Sequence, residues 1–172
     1  MNFRQQRGFS LLEVMVAVII FSVGLIGLGL LLTASIRANH VGFLHSQATF
    51  VAESITDSMR ANIIGVWLNA YNGNWNAATP AAAADCTAVA CTPAQLAARD
   101  VAAWGRMVGQ LLPAGAGNIT CTPRANRPIP DAATLQSSPV YTGSCLVTIT
   151  WSEQTEAADG TVNGRFDWVV TP

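Results

Sequence analysis

A long uncharged apolar run near the N-terminus constrains this chain more than any other feature. From Val14 to Ile36 the sequence has no charged residue, and Arg37 ends the run. An α-helix rises about 1.5 Å per residue, so a helix over this run is long enough to cross a hydrocarbon core about 30 Å thick. The sequence therefore predicts one membrane-spanning helix followed by one domain of modest size.

A lone carboxylate, Glu13, stands at the entrance to this run. A charge at the bilayer centre costs about 2.5–3.5 kcal/mol, and less near the interface, so such a residue usually has a partner. We therefore interpret Glu13 as functional. Arg4 and Arg7 precede the run, and basic residues before a span favour a cytoplasmic N-terminus. We expect everything after Arg37 to be exported.

The residues before the run form a specific motif, Arg7-Gly8-Phe9-Ser10-Leu11-Leu12-Glu13. A short basic leader, a glycine, an aromatic residue, a glutamate and an apolar span in this order resemble the N-terminus of type IV prepilins and pseudopilins. The resemblance implies that a prepilin peptidase cleaves after Gly8 and methylates the new N-terminal residue, Phe9. It also implies that Glu13 meets the amino terminus of a neighbouring subunit, because two buried opposite charges are tolerated only as a pair.

The resemblance also implies a fold and a domain organisation. The fold is α+β, with a long N-terminal transmembrane or filament helix packed on a small antiparallel sheet domain that carries a second helix. Residues 1–8 are then a cleaved leader, and residues 9–36 are the transmembrane and filament-core helix. Residues 37–172 are the exported pilin domain, and its first part, residues 37–68, continues the long helix.

Partners and location follow from the same resemblance. The implied partners are prepilin peptidase, other major and minor pilins through the N-terminal helix, the inner membrane and the pilus assembly platform. The chain is expected to be a single-pass inner-membrane protein with a periplasmic C-terminal domain, and later to reach the pilus at the cell surface. A secretory signal peptide fits less well, because its apolar core is typically about 7–15 residues and would not contain Glu13. A plain signal anchor does not require a glutamate at the position of Glu13.

The charge balance argues against a nucleic-acid partner. All nine basic residues are arginine, and loss of Arg4 and Arg7 with the leader leaves seven against ten acids, a side-chain charge of −3. Broad attraction to nucleic acid needs clustered positive charge. Arg124 and Arg127 form a small basic spot that we interpret as a solvated loop.

Four cysteines lie in the part expected to be exported: Cys86, Cys91, Cys121 and Cys145. An even number in an oxidising compartment indicates disulfides, with three possible connectivities. We favour Cys86–Cys91 as a short local loop and Cys121–Cys145 as a tie between two strand-like segments. A zinc site is a weak alternative, because the spacing is irregular and neither histidine lies near.

Apolar periodicity predicts one long helix from about Phe9 to about Leu68. Asp57 and Arg60 are expected to pair on its surface. His40 and His45 lie about 140° apart around it, so they do not share a metal. The face that packs on the domain is predicted to contain Leu44, Ala48, Val51, Ile55, Met59 and Ile63.

A second, amphipathic helix is predicted over about Pro93–Leu112, with Thr92 and Gln95 as a capping box. Residues 71–84 are expected to be a loop. Trp67 and Trp75 are expected to anchor it by packing.

Alternation of apolar and polar residues predicts three strands near the C-terminus, at Gly117–Thr122, Cys145–Ser152 and Arg165–Thr171. Glu153–Asn163 is expected to be a hairpin loop, and Pro123–Pro139 an irregular linker. Leu111–Gly117 leading to a strand, and later Val147–Trp151, loosely resemble minor pilins of the PilV type, the type IV pilus modification proteins.

These observations favour a structural subunit: a minor type IV pilin assembled into the pilus or at its tip, supporting pilus biogenesis, adhesion or twitching motility. The alternatives are a type II secretion pseudopilin, and a tip adhesin or DNA-binding pilin recognisable by an exposed patch at Trp75 or Arg124–Arg127. No nucleophile and base stand together, so we expect no enzyme, and no cofactor or metal. A membrane-anchored enzyme is the most distant alternative.

Overall fold

The computed structural model of this chain describes residues 8, 10–79, 85–86, 89–125, 130–135, 137, 139–154 and 161–172. The helices are α1 (Leu11–Ala61), α2 (Ile63–Trp67), α3 (Pro93–Leu111) and α4 (Ala132–Leu135). The strands are β1 (Gly73–Asn76), β2 (Ala116–Pro123), β3 (Gly143–Gln154) and β4 (Thr161–Val170). Contacts within the chain define two compact units, Met1–Gly42 and Phe43–Pro172.

The second unit is built on a four-stranded sheet. Its order is β1-β2-β3-β4, and each neighbouring pair is antiparallel. Side chains alternate between the two faces of a strand, so every second residue points into the core. On β3 the inward residues are Cys145, Val147, Ile149 and Trp151, all at most 1% exposed. The predicted alternation of this strand is therefore confirmed.

The part of α1 that belongs to the second unit packs in its core. Five of the six residues predicted for its packing face are buried: Leu44, Ala48, Val51, Ile55 and Met59. Ile63, the sixth, lies in α2 and packs half-buried against the same core. On the outer surface Asp57 and Arg60 form the expected ion pair, with 3.6 Å between Oδ1 and Nη1. Both side chains are exposed, so this pair contributes at most about 0.5 kcal/mol.

Helix α3 packs against β1, β2 and α2, and its N-terminus has the predicted capping box. The backbone N–H of Gln95 donates to Thr92 Oγ1, and the Thr92 N–H donates to Gln95 Oε1. Further along, the Trp104 indole N–H donates to the Val51 carbonyl of α1 at 2.9 Å. A helix carbonyl has a second lone pair free for such a donor, so this bond joins α3 to α1 without breaking the α1 ladder.

The long helix ends earlier than the sequence predicted. We expected it to reach about Leu68, but α1 stops at Ala61 and the short helix α2 starts at Ile63. The cause is Asn62, whose side-chain oxygen accepts the Gly65 N–H and caps α2. Its amide nitrogen donates to the Pro93 carbonyl at 2.8 Å and to the Tyr71 hydroxyl at 3.2 Å. A buried amide that bonds backbone in this way competes with the helix.

The predicted loop over residues 71–84 contains a strand, so that prediction was wrong over Gly73–Asn76. This strand, β1, pairs with β2 at the sheet edge. The Asn118 amide holds the two strands together by donating to the Gly73 carbonyl and to Asn74 Oδ1. Four residues rich in Asn and Gly carry turn signals and too little alternation to predict a strand. Residues 80–84 lie outside the described part.

Two further boundaries need correction. The linker Pro123–Pro139, expected to be irregular, contains the single turn α4, where Asp131 Oδ1 accepts the Thr134 N–H at 2.8 Å. The hairpin loop expected at Glu153–Asn163 is shorter, because β3 continues to Gln154 and β4 begins at Thr161. The remaining loop, residues 155–160, lies outside the described part.

The architecture confirms the predicted fold class. The chain is α+β, with a long N-terminal helix and a small antiparallel sheet that carries further helices, an arrangement like that of type IV pilins. The second helix and the three C-terminal strands lie where the sequence placed them, within a few residues at most boundaries and about four at the start of β4.

Candidate assembly site

The N-terminal segment carries the residues that the motif singles out. Gly8 and Ser10 are exposed, and α1 begins directly after them at Leu11. The Ser10 carbonyl accepts the N–H groups of Glu13 at 3.0 Å and Val14 at 3.3 Å, which closes the first turn. Phe9 and residues 1–7 lie outside the described part.

Glu13 lies in the first turn of α1, where a negative charge is favourable because the helix dipole is positive there. Its side chain is exposed. Within the described residues it makes no ion pair and no side-chain hydrogen bond, and the next charged residue along the helix is Arg37. The carboxylate is thus free to accept a donor from another molecule.

The apolar run is exposed along its whole length. The large hydrophobic side chains between Leu11 and Ile36 are between 48% (Val16) and 78% (Leu11) exposed. The helix is long and apolar enough to cross a membrane, judged by its length and composition. A water-soluble monomer rarely exposes a contiguous apolar patch this large, so this surface needs lipid or protein around it.

Two of the three hydroxyl side chains of the run, those of Ser22 and Thr33, are satisfied within the helix. Ser22 Oγ donates to the Val18 carbonyl at 2.7 Å, and Thr33 Oγ1 donates to the Leu30 carbonyl at 2.8 Å. This bonding suits hydrocarbon, because an unsatisfied polar group there is costly. The three glycines of the run, Gly24, Gly27 and Gly29, have open space where a side chain would be.

Residues 3–29 match the profile of the prokaryotic N-terminal methylation motif. The N-terminus of this chain is that of a type IV pilin-like prepilin. The matched segment contains Gly8, Phe9 and Glu13, and the motif implies processing by prepilin peptidase and assembly with other pilins. No curated protein and no solved structure matches the chain. The matched motif is one that marks structural proteins of the pilin type.

Behind the prepilin N-terminus the structure forms two disulfides, Cys86–Cys91 and Cys121–Cys145. The first joins cysteines five positions apart in the sequence, and the second joins directly opposed residues of β2 and β3. These are the connectivities that the sequence analysis favoured. Within the described part, no group of three or more His, Cys, Asp or Glu side chains is placed to hold a metal ion.

The aromatic candidates for a binding surface are packed. Trp67 is buried, and its indole N–H donates to the Pro139 carbonyl. Trp75 is half-buried against the core and donates to the Tyr71 carbonyl. Arg124 is exposed, and Arg127 lies outside the described part. The patch that would mark a tip adhesin therefore does not form at Trp75.

Sequence reasoning missed a polar network that fixes the start of α3 against the end of α1. The Tyr71 hydroxyl donates to Asp100 Oδ2 at 2.7 Å and accepts from Asn62 Nδ2 at 3.2 Å. Burial raises the pKa of Asp100, while the Tyr71 hydrogen bond and Arg99 lower it. Burial also raises the pKa of Tyr71, and the hydrogen bond to Asp100 adds to this effect. Asn62, Tyr71 and Asp100 are far apart in sequence, so no local pattern signals the network.

Proposed function

We propose that this chain is a minor type IV pilin. Prepilin peptidase cleaves it after Gly8 and methylates Phe9. The mature chain is held in the inner membrane by residues 9–36, with the domain from residue 37 onward in the periplasm. It then enters the pilus through this helix and supports pilus biogenesis, adhesion or twitching motility.

One observation carries the proposal: the prepilin motif at residues 3–29 overlaps a stretch of α1, from Leu11 to Ile36, whose large apolar side chains are all exposed. In the membrane lipid covers these side chains, and in a filament the equivalent helices of other subunits cover them. Packing in lipid depends on close contact between helices, which small residues such as Gly24, Gly27 and Gly29 allow.

The role proposed for Glu13 follows from its position. Phe9, the methylated N-terminal residue of the mature chain, lies four positions before Glu13 and carries a positive charge on its amino group, and the Glu13 carboxylate has no partner in the described part of its own chain. Pairing of Glu13 with the amino terminus of a neighbouring subunit would neutralise both charges inside an apolar bundle. The pairing would also fix the axial register of the two helices, because an unpaired buried charge is costly.

Mass spectrometry of filaments sheared from the cell surface tests the proposal. We expect a mature chain that begins with N-methylated Phe9 and is present at low stoichiometry among the other pilins. A Gly8→Leu variant is the matched control, because a bulky side chain at the cleaved bond should leave the chain at full length.

Two other outcomes contradict the proposal. An unprocessed chain found in the inner membrane alone would make the helix a simple anchor. A processed chain that is absent from pili but required for protein secretion would identify a pseudopilin of a type II secretion system, which has the same N-terminus.

A further inference from the structure

A cleft of about 410 Å³ lies at one end of the sheet, where β2 ends, β3 begins and β4 ends. Thr122 and Ser144 are opposite each other across β2 and β3. Thr171 directly follows Val170, the last residue of β4, which is opposite Cys145, so Thr171 forms the third side. The cleft belongs to the second unit and is separate from the prepilin N-terminus.

The backbone around the cleft is held by three local features. The Cys121–Cys145 disulfide joins β2 to β3 one residue pair before Thr122 and Ser144. The Arg124 N–H donates to the Thr142 carbonyl at 2.9 Å and continues the pairing past the strand ends. At Gly143 a side chain has no room, because a Cβ would lie 2.2 Å from the Thr122 carbonyl oxygen. Such a site is preorganised and loses little conformational entropy on binding.

The lining has one charge and several hydroxyl groups. Arg124 is exposed, makes no ion pair within the described residues, and is the one charged residue among the described residues that line the cleft. Thr122, Ser144 and Thr171 add three hydroxyls that have no hydrogen-bond partner in the described part of the chain. The Thr142 hydroxyl is buried at the cleft and also has no partner. A buried unpaired hydroxyl costs about 1–3 kcal/mol, so a hydrogen bond to a ligand would be favourable here.

We propose that this cleft binds a carboxylate-bearing saccharide, such as a sialic or uronic acid. The Arg124 guanidinium would bind the carboxylate, because its planar fork matches that group in a bidentate pair. The hydroxyls of Thr122, Thr142, Ser144 and Thr171 would bind the ring hydroxyls, since a hydroxyl both donates and accepts.

The chemistry of the lining favours this ligand over other anions. A phosphate carries a charge of about −1.5 to −2 and usually has more than one cation around it, whereas one arginine balances one carboxylate. A peptide carboxyl terminus would need an apolar subsite for its last side chain. Among the described residues, those that line the cleft are polar or small, apart from Pro123, and none has an aromatic ring.

Titration of the full-length chain in detergent micelles, followed by ¹H–¹⁵N NMR, tests the proposal. The probes are N-acetylneuraminic acid and galacturonic acid, with galactose, N-acetylglycine and inorganic phosphate as comparisons. We expect both acidic sugars to shift the amide signals of Thr122, Ser144 and Thr171 with a millimolar dissociation constant. Galactose, which lacks the carboxylate, should bind at least about tenfold more weakly.

Two variants and a control separate binding from folding. Arg124→Gln should weaken binding of the acidic sugars at least about tenfold, since it removes the charge-assisted pair. Thr142→Val should weaken binding severalfold while the protein stays folded, because it removes an unpaired buried hydroxyl and keeps the shape. Arg106→Gln, an exposed arginine on α3 outside the cleft, should leave binding unchanged.

Three results would overturn the proposal. They are absence of any shift at the cleft amides, equal binding by the Arg124→Gln variant, and binding of N-acetylglycine or phosphate in preference to the sugars. None of them bears on processing at Gly8 or on entry into a filament, so the proposed pilin function is tested separately.

Discussion

Trp104 and Gly117 share one space between α3 and β2. A Cβ at Gly117 would lie 2.2 Å from the Trp104 Cη2 atom. The indole is 2% exposed and is held in place by its bond to the Val51 carbonyl, so it cannot move aside. The absence of a side chain at Gly117 is therefore what allows α3 to approach the sheet.

Gly117→Ala should lower stability by about 1–3 kcal/mol, because an added carbon in a filled core forces other groups out of place. Gly42→Ala makes the same chemical change at an exposed helix position with open space, and should raise stability by up to about 1 kcal/mol. Thermal unfolding followed by near-ultraviolet circular dichroism measures both. Equal shifts in the two variants would show that the space at Gly117 is not limiting.

Asp100 makes stability depend on pH in an unusual direction. Its pKa is raised mainly by burial, so the folded chain holds this proton more tightly than the unfolded chain does. The stabilisation is complete below the unfolded value of about 3.9 and is lost as pH rises through the folded value. Asp100→Asn keeps an oxygen for the Tyr71 hydroxyl and removes the charge. The Tm of the Asp100→Asn variant should therefore increase relative to the Tm of the wild type as pH rises above about 4.

Asp131→Asn is the matched comparison for Asp100→Asn, because the pKa of Asp131 is shifted in the opposite direction. Hydrogen bonds from Thr134 hold the pKa of Asp131 below its usual value, so its contribution is present at neutral pH and is lost on acidification. This variant should be less stable than the wild type at neutral pH, and the difference should shrink below about pH 4. If the two variants changed in the same direction with pH, the environments assigned to these carboxylates would be wrong.

At the scale of helices and strands, the sequence correctly predicted those features that a pattern of neighbouring residues specifies. The period of α3, its capping box and the alternation of β3 each rest on neighbouring residues, and all three are confirmed. The break at Asn62 and the strand β1 depend on partners far along the chain, such as Pro93 and Asn118. Local pattern cannot contain those partners, so these two elements were missed.

The two disulfides should stabilise the domain by different amounts. Cys121–Cys145 closes a 24-residue separation and Cys86–Cys91 a separation of 5. Loop-closure entropy then gives about 3.5 kcal/mol for the first and about 2 kcal/mol for the second. Urea unfolding of the Cys121→Ser/Cys145→Ser and Cys86→Ser/Cys91→Ser variants measures the two losses. A larger loss from the short loop would contradict the entropic account.

At the scale of the whole molecule, the candidate assembly site was readable from sequence because its residues are contiguous. The motif from Gly8 to Glu13 needs no tertiary structure to be recognised, and the prepilin profile covers it. The cleft at Arg124 could not be predicted from the sequence, because its residues are not contiguous. Its lining comes from the ends of three strands, and their register places Thr122, Ser144 and Thr171 together.

Glu13→Ala should leave processing intact and impair entry into the filament. Cleavage acts at the Gly8–Phe9 bond, whereas the carboxylate is proposed to act between assembled subunits. Immunoblots of cell membranes and of sheared filaments separate the two steps. Glu53→Ala, which removes an exposed acid further along α1, is the control and should enter filaments as the wild type does. Normal incorporation of the Glu13→Ala chain would remove the assembly role.

The bond from the Trp104 indole to the Val51 carbonyl has a consequence for amide hydrogen exchange. It lies in the part of α1 whose residues are buried in the core of the second unit, whereas the large apolar side chains from Leu11 to Ile36 are exposed. In detergent or water, amides of the first part should exchange through local fraying. Amides near Val51 should exchange only when the domain unfolds. The single helix α1 would then show two rates of deuterium uptake. The rate should change near Phe43, where packing of the helix in the domain begins.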